Sequence, residues 1–254
     1  MSDEPEFTAA DVAELLASVP DPAIVVVGGQ AVNALAELYA AVDPALASGV
    51  PFTSKDLDVF ASRGELLRWE QVLGDRATVQ LPDPNHMGAV QNGILYFGMA
   101  DGRRLKVDFM TSVYGLKDAA VEGSAVPVEI VAAEPVRVSI LNPVHCVESR
   151  TANVIGLPHL YDNPHGLKQL RASIVACRHA LTEMATANTR RALNHVESLF
   201  HVACHRRAVR LYREKGIDVF EGIPSFELLP SEFREKRHPQ MITALAMKRR
   251  KGRA

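Results

Sequence analysis

The sequence predicts an α/β fold, in which a small mixed sheet with flanking helices is followed by a helical C-terminal domain. Short strand-like apolar stretches recur through the first half of the 254-residue chain, and helical patterns separate several of them. From Asn142-Pro143 onward the apolar residues recur at helical spacing instead. We therefore expect two domains, comprising residues 1–140 and residues 141–254.

The first domain is expected to begin with a helix over residues 8–18, because Thr8 is a good N-cap and apolar residues follow at helical spacing. A buried strand over 23–27 then leads into Gly28-Gly29 and a second helix. Residues 43–51 are rich in turn formers and predict an inserted loop. Further strands are predicted at 56–60, 78–81, 94–98, 105–110, 126–130 and 136–140, with a helix at 64–73 and a loop at 81–92.

The second domain is predicted to contain helices only. Their expected ranges are 143–153, 167–184, 190–215, 230–236 and 241–249. The chain then ends in a short basic run that starts at Lys248 and includes Arg253, and we expect this tail to be disordered.

Three aspartates form the first half of a predicted site. Asp56 and Asp58 are two residues apart on one strand, so their side chains project from the same face. Asp108 lies in a later strand, and a third carboxylate there would complete a cluster that repels itself unless cations neutralise it. Hard oxygen ligands suit Mg²⁺, which usually binds substrate phosphates as well. The pattern therefore indicates phosphoryl or nucleotidyl transfer.

Two glycines form the other half of this predicted site. Gly28-Gly29 follows a buried strand and precedes a helix, where glycine lets the backbone approach a ligand and helix amides attract phosphate. The segment is neither a Walker A motif nor a dinucleotide fingerprint, and taken alone it is more typical of a tight turn.

Taken in order, Val27-Gly28-Gly29, Asp56-Leu57-Asp58 and Asp108 resemble the signature of nucleotidyltransferases of the DNA polymerase β type. Gly28-Gly29-Gln30-Ala31 and the segment 52–58 are similar to those of the bacterial AbiEii-type branch. The likeness covers the first half of the chain closely and the second half loosely, and the span between Gly29 and Asp56 is wider than usual for the family. The resemblance implies that residues 1–140 are a catalytic domain with a nucleotidyltransferase-type sheet.

The resemblance also implies a mechanism, in which a nucleoside monophosphate passes from a nucleoside triphosphate (NTP) to a hydroxyl with release of pyrophosphate. Asp56, Asp58 and Asp108 would be catalytic residues and would bind two Mg²⁺ ions. Asp108 would also help to deprotonate the attacking hydroxyl. The residues expected to contact the nucleotide are Gly28, Gly29, Ser54, Lys55, Arg150 and Lys168.

The acceptor remains open at the level of sequence. The AbiEii-type resemblance implies RNA, including tRNA, in a toxin or phage-defence role with a possible antitoxin partner. Adenylylation of a small molecule or a protein is an alternative. A further alternative is a non-catalytic protein that binds nucleotide and acts as a partner subunit.

Charge is distributed unevenly along the chain. Residues 1–134 carry 8 basic and 20 acidic side chains, whereas residues 135–254 carry 20 basic and 10 acidic ones. A basic second half is typical of a polyanion-binding module, although solvated basic helices give the same pattern.

The remaining composition predicts a soluble, cytoplasmic protein that does not associate with membranes. No apolar stretch is long enough to span a membrane, and the N-terminus lacks a signal-peptide pattern. Cys146, Cys177 and Cys204 are scattered, which favours a reducing compartment. His201, Cys204 and His205 have the spacing of zinc ligands on a helix, but a packed helix face is the favoured interpretation.

Overall fold

The computed structural model describes residues 6–83, 90–130 and 135–251, and these form eleven α-helices and a seven-stranded mixed sheet. The α/β class predicted from the sequence is thereby confirmed. The chain divides into two compact units, Met1–Cys146 and Val147–Ala254. This division falls within helix α6 (Pro143–Gly156), shortly after the predicted boundary at residue 140.

The whole sheet lies in the first unit. Its strands are β1 (Val25–Val26), β2 (Asp56–Phe60), β3 (Ala77–Gln80), β4 (Gln91–Gly98), β5 (Arg104–Met110), β6 (Val126–Ile130) and β7 (Val136–Ile140). They are arranged in the order β3-β4-β5-β2-β1-β7-β6. Strands β2 and β5 pair in parallel, as do β1 and β7, whereas the other neighbours are antiparallel. The parallel pairing of β2 with β5 is the feature that assembles the candidate site.

Five helices accompany this sheet. They are α1 (Ala9–Ala17), α2 (Gly28–Ala40), α3 (Pro44–Ala47), α4 (Arg63–Leu73) and α5 (Asp118–Ser124). Helix α1 packs against β6 and β7, α2 packs against β2, and α4 packs against β3 and β4. As predicted, Thr8 caps α1, and it forms a capping box with Asp11.

Two of these helices depart from the sequence predictions. The stretch 43–51, predicted as a loop, contains the short helix α3, because Asp43 Oδ1 accepts a hydrogen bond from Ala45 N at 2.9 Å and Pro44 follows at the first helical position. Helix α5 was not predicted at all, since its seven residues are too few to show a clear helical period.

The core of the first unit forms between α4 and the sheet. Trp69 of α4 is fully buried and meets Phe109 of β5 edge to face, with ring centroids 5.2 Å apart. Leu57 and Val59 of β2 are buried. Asp56, Asp58 and Phe60, which alternate with them along the strand, are half-buried on the opposite face. Burial of the apolar residues therefore fixes the direction in which the two aspartates project.

The second unit is helical. Helix α6 enters it, and the helices that follow are α7 (Pro158–Tyr161), α8 (Pro164–Ala187), α9 (Thr189–Cys204), α10 (Arg206–Lys215) and α11 (His238–Lys251). The single helix predicted over 190–215 is wrong, because His205 adopts an extended conformation with φ −69° and ψ 145°. His205 Nδ1 then caps α10 by accepting from Arg207 N.

The basic tail is also different from the prediction. Helix α11 continues to Lys251, so the tail is helical over Lys248–Lys251, whereas Gly252 and Arg253 lie outside the described residues. Arg249 anchors this turn through an ion pair with Asp218 and a cation–π contact of 3.7 Å with Tyr212.

Two further findings complete the fold. Strand β4 begins at Gln91 rather than at residue 94, and residues 84–89 of the loop predicted at 81–92 lie outside the described residues. Within the described ranges, no helix combines the length and apolar character needed to cross a membrane.

Candidate metal centre

Strands β2 and β5 bring the three predicted aspartates together. Their parallel register places Asp58 opposite Asp108, and Asp56 lies two residues earlier on the same face of β2. One carboxylate oxygen from each residue lies within 4.8 Å of the other two. Over the residues that the structure describes, this is the one group of three or more His, Cys, Asp or Glu side chains close enough to share a metal ion.

Asp108 is the most enclosed member of the cluster. Its side chain is 4% exposed, and its Oδ1 accepts a hydrogen bond from Gln91 Nε2 at 3.0 Å. Its Oδ2 accepts from Lys106 Nζ at 2.6 Å. A buried carboxylate needs such partners, because desolvation would otherwise penalise its charge.

The ammonium of Lys106 lies at the edge of the cluster. Its Nζ is 4.0 Å from Asp56 Oδ2 in addition to its contact with Asp108. Burial lowers the pKa of Lys106, but the hydrogen bond to Asp108 and the charges of Asp108, Asp56 and Asp58 outweigh this, so the net shift is upward. The carboxylates of the cluster thus favour a positive charge at this position.

Gly28 adjoins the same carboxylates. Val27 N donates to Asp58 O at 2.9 Å, which holds the end of β1 beside β2. Gly28 has φ +64°, and a Cβ atom at this position would lie 2.0 Å from Asp58 Oδ2. Glycine is therefore required here both by the left-handed backbone and by the close approach of the aspartate.

Helix α2 begins at Gly28 itself, so both glycines belong to its first turn. Its N-cap residue, Val27, forms no side-chain capping hydrogen bond. A helix start beside a carboxylate cluster can hold a phosphate that a cation also contacts.

The other predicted nucleotide contacts are distributed over both units. Ser54 is buried just before β2, where its backbone pairs with Phe7, and Lys55 is exposed beside it. Arg150 of α6 donates to Gln169 Oε1 at 3.2 Å, and Lys168 is exposed on α8. The last two belong to the second unit, and their contact with nucleotide stays a prediction.

Sequence reasoning missed Lys106 and Gln91. Lys106 alternates with Asp108 along β5, so the rule that placed Asp56 beside Asp58 would also have placed this lysine at the site. No comparable signal identifies Gln91, because it reaches Asp108 across β4 and β5 at an irregularity between Gln91 and Gly93.

The packed helix face expected for His201, Cys204 and His205 is wrong in part, because both histidines are exposed and His205 is extended rather than helical. Cys204 ends α9 and His205 precedes α10, so the three residues do not share one continuous helix. Burial raises the pKa of the Cys204 thiol more than the nearby Lys248, Arg249 and Arg237 lower it. A raised pKa is the opposite of what a metal-binding or reactive thiol needs.

Comparison with known protein-family models gives no match for this chain, and comparison with curated proteins gives none either. The geometry of the carboxylate cluster is consequently the feature of this protein that indicates a function.

Proposed function

We propose that the protein is a Mg²⁺-dependent nucleotidyltransferase that moves a nucleoside monophosphate from an NTP to a hydroxyl acceptor. The observation that carries this proposal is the convergence of Asp56, Asp58 and Asp108 to within 4.8 Å beside the glycine turn at Gly28. A carboxylate cluster and a phosphate-binding backbone are the two parts that this chemistry requires.

The residues present fit a divalent cation. All three candidate ligands are hard oxygen donors, and an ammonium already lies against two of them. Asp56, Asp58 and Asp108 would hold Mg²⁺, with two ions expected from the resemblance. When bound, Mg²⁺ would neutralise the triphosphate and stabilise the charge that develops during displacement of pyrophosphate.

The chain itself contributes orientation and proton transfer. The amides of Gly28 and Gly29 would position the terminal phosphates at the start of α2, and the Ser54 hydroxyl and Lys55 would add polar contacts. Asp108 would accept the proton of the attacking hydroxyl at a carboxylate oxygen. Gln91 and Lys106 orient that carboxylate through the two hydrogen bonds described above.

For the acceptor we propose RNA, with a tRNA end as one form of it. Support comes from residues 135–254, which contain 20 basic and only 10 acidic side chains. Such an activity would suit a cytoplasmic enzyme of toxin–antitoxin or phage-defence type, with an antitoxin as a further partner.

The test incubates the full chain with each α-³²P-labelled NTP, Mg²⁺ and total cellular RNA. Wild type is expected to label RNA, and Asp58→Asn is expected to abolish labelling because the substitution removes one ligand charge while keeping the shape. Glu122→Gln is the matched control, since it removes an exposed carboxylate of α5 in the same unit. Circular dichroism establishes that all three proteins are folded.

The outcomes separate the proposal from its alternatives. Full labelling by Asp58→Asn would overturn the metal assignment. Pyrophosphate release that needs an added small molecule or protein, without labelled RNA, would replace RNA by another acceptor. NTP binding without pyrophosphate release under any condition would instead indicate the non-catalytic nucleotide-binding protein.

A further inference from the structure

The second unit contains a basic cleft whose lining residues are not among the candidate-site residues described above. The cleft has a volume of about 420 Å³ and is lined by Ile155 and Gly156 at the end of α6 and by Arg206, Arg207 and Arg210 of α10. Among the lining residues that the structure describes, three of five are arginines and none is acidic. A concave surface of this composition is suited to an oxyanion rather than to an apolar ligand.

Helix α10 presents these arginines because it is strongly amphipathic. Ala208, Val209 and Leu211 are buried, whereas Arg206 and Arg210 are exposed and lie one turn apart. Arg213 continues the same exposed row one turn further along. With a rise of about 1.5 Å per residue, the row extends over roughly 10 Å, which exceeds a single phosphate group.

The row is only partly neutralised by acidic residues. Arg210 Nε lies 3.0 Å from Glu214 Oε1. Over the described part of the chain, Arg206 has no ion-pair partner. Burial lowers the pKa of His205, and the charges of the adjacent Arg207 and Arg206 lower it further.

Basic residues also continue beyond the far end of the row. A second groove of about 410 Å³ is lined by Tyr212, Arg213, Arg249 and Arg250, together with apolar residues of α11 and Phe220. Arg213 Nε donates to Arg249 O at 3.1 Å, so the last turns of α10 and α11 are joined. The cationic surface is therefore elongated, and it suits a ligand with several phosphates in sequence.

We propose that this surface, the cleft together with the row Arg206, Arg210 and Arg213, binds the phosphodiester backbone of the RNA acceptor. The inference rests on the proposed function in that it takes the acceptor to be RNA. It adds where the acceptor binds, namely at α10 rather than at the residues of the carboxylate cluster. Charge complementarity and elongation favour a polynucleotide strand over a single phosphorylated metabolite.

The test measures binding of a fluorescein-labelled oligouridylate to the full chain by fluorescence anisotropy, in EDTA and without NTP, over a series of NaCl concentrations. The variant Arg206→Gln/Arg207→Gln is expected to raise the Kd and to reduce the slope of log Kd against log [NaCl] by about 1.4, at about 0.7 per lost phosphate contact. The matched control is Arg190→Gln/Arg191→Gln. It removes the same charge from adjacent exposed arginines in the first turn of α9.

An unchanged slope for Arg206→Gln/Arg207→Gln, or an equal reduction for both double variants, would overturn the location on α10. Competition by uridine monophosphate as strong as that by unlabelled strand would show a single-phosphate site and overturn the polynucleotide assignment. Because the assay contains neither metal nor NTP, it is independent of catalysis. Transfer to RNA with unchanged binding by the α10 variant would overturn this inference alone, whereas specific binding without transfer would overturn only the proposed function.

Discussion

At the scale of single residues, the candidate site depends on the absence of a side chain at Gly28. The backbone there is left-handed, and Asp58 Oδ2 fills the space that a Cβ atom would need. The backbone conformation and the close approach of Asp58 thus each require glycine at this position. The glycine that sequence reasoning assigned to phosphate binding is also a structural condition for the position of Asp58.

Gly28→Ala is expected to abolish Mn²⁺ binding and to lower the melting temperature, because the new methyl group overlaps the Asp58 carboxylate. Gly216→Ala is the control, since Gly216 also has φ +64° but nothing lies within 4 Å of the position that its new methyl group would take. The control isolates the backbone strain, which costs about 1–2 kcal/mol. Titration with Mn²⁺ and thermal unfolding of both variants measure the difference, and equal behaviour would contradict the proposed overlap.

Lys106 supplies the second prediction at this scale. Replacing it by methionine removes the ammonium from the buried Asp108 carboxylate, so Lys106→Met should destabilise the metal-free protein by about 1–3 kcal/mol. Added Mn²⁺ should restore more stability to this variant than to wild type, because the cation replaces the lost positive charge. Thermal unfolding in EDTA and in MnCl₂ measures both effects, with the exposed Lys117→Met as control. A variant as stable as wild type in EDTA would show that Lys106 does not stabilise Asp108.

At the scale of elements, one buried carboxylate links helix α4 to the segment just before β1 by hydrogen bonds. Glu65 Oε1 accepts hydrogen bonds from Ala23 N at 2.9 Å and from Trp69 Nε1 at 2.8 Å. Glu65 also forms an ion pair with Arg68 at 2.6 Å. The hydrogen bond from Arg68 is the main reason that the pKa of Glu65 is lowered. Burial opposes this effect, and the hydrogen bonds from Trp69 and Ala23 lower the pKa further.

Glu65→Gln should therefore reduce the free energy of unfolding at neutral pH by about 1–2 kcal/mol, since an amide N–H would face the Arg68 donor. A lowered pKa stabilises the fold above the ordinary value of 4.5, and that contribution disappears as the pH falls through the lower folded-state value. The difference between variant and wild type should consequently narrow below about pH 4.5. Urea unfolding as a function of pH tests this, with the exposed Glu70→Gln of the same helix as control. A difference that does not depend on pH would contradict the assignment.

Elements with strong local signals were predicted with the bounds that the structure shows. Strands β2, β6 and β7 span the expected residues, because apolar side chains recur at every second position along each of them. The break between α9 and α10 was not predicted. Residues on both sides of His205 have helical patterns, and the extended conformation of this one residue interrupts a period that looks continuous in the sequence.

At the scale of the whole molecule, function and stability are expected to oppose each other at the carboxylate cluster. Three carboxylates converge to within 4.8 Å, and Lys106 is the ammonium that lies against two of them. Repulsion within such a cluster lowers the stability of the metal-free fold, whereas a bound divalent cation removes the repulsion and stabilises the fold.

Asp58→Asn is thus expected to have a higher melting temperature than wild type in EDTA, because it relieves repulsion. In MnCl₂ the order should reverse, since only wild type retains the full ligand set. Binding at a concentration of 100 times the Kd stabilises a protein by about 2.7 kcal/mol. Differential scanning calorimetry in both buffers measures the crossover, and Glu122→Gln should show none. A wild type that gains no stability from Mn²⁺ or Mg²⁺ would contradict a metal centre at these residues.

Local sequence patterns were sufficient to predict the α/β class, the strand that carries Asp56 and Asp58, and the identity of the three aspartates. The fold class and the pairing of Asp56 with Asp58 follow from periodicity, since residues two apart on a strand share a face wherever that strand is placed. Asp108 was identified through the order of the motifs that resemble the nucleotidyltransferase signature. The folded structure was needed to show that β5 pairs in parallel with β2, that Asp58 lies opposite Asp108, and that Gln91 reaches across from β4. Pairing between distant strands depends on the packing of the whole sheet, and a local pattern holds no information about which strands become neighbours.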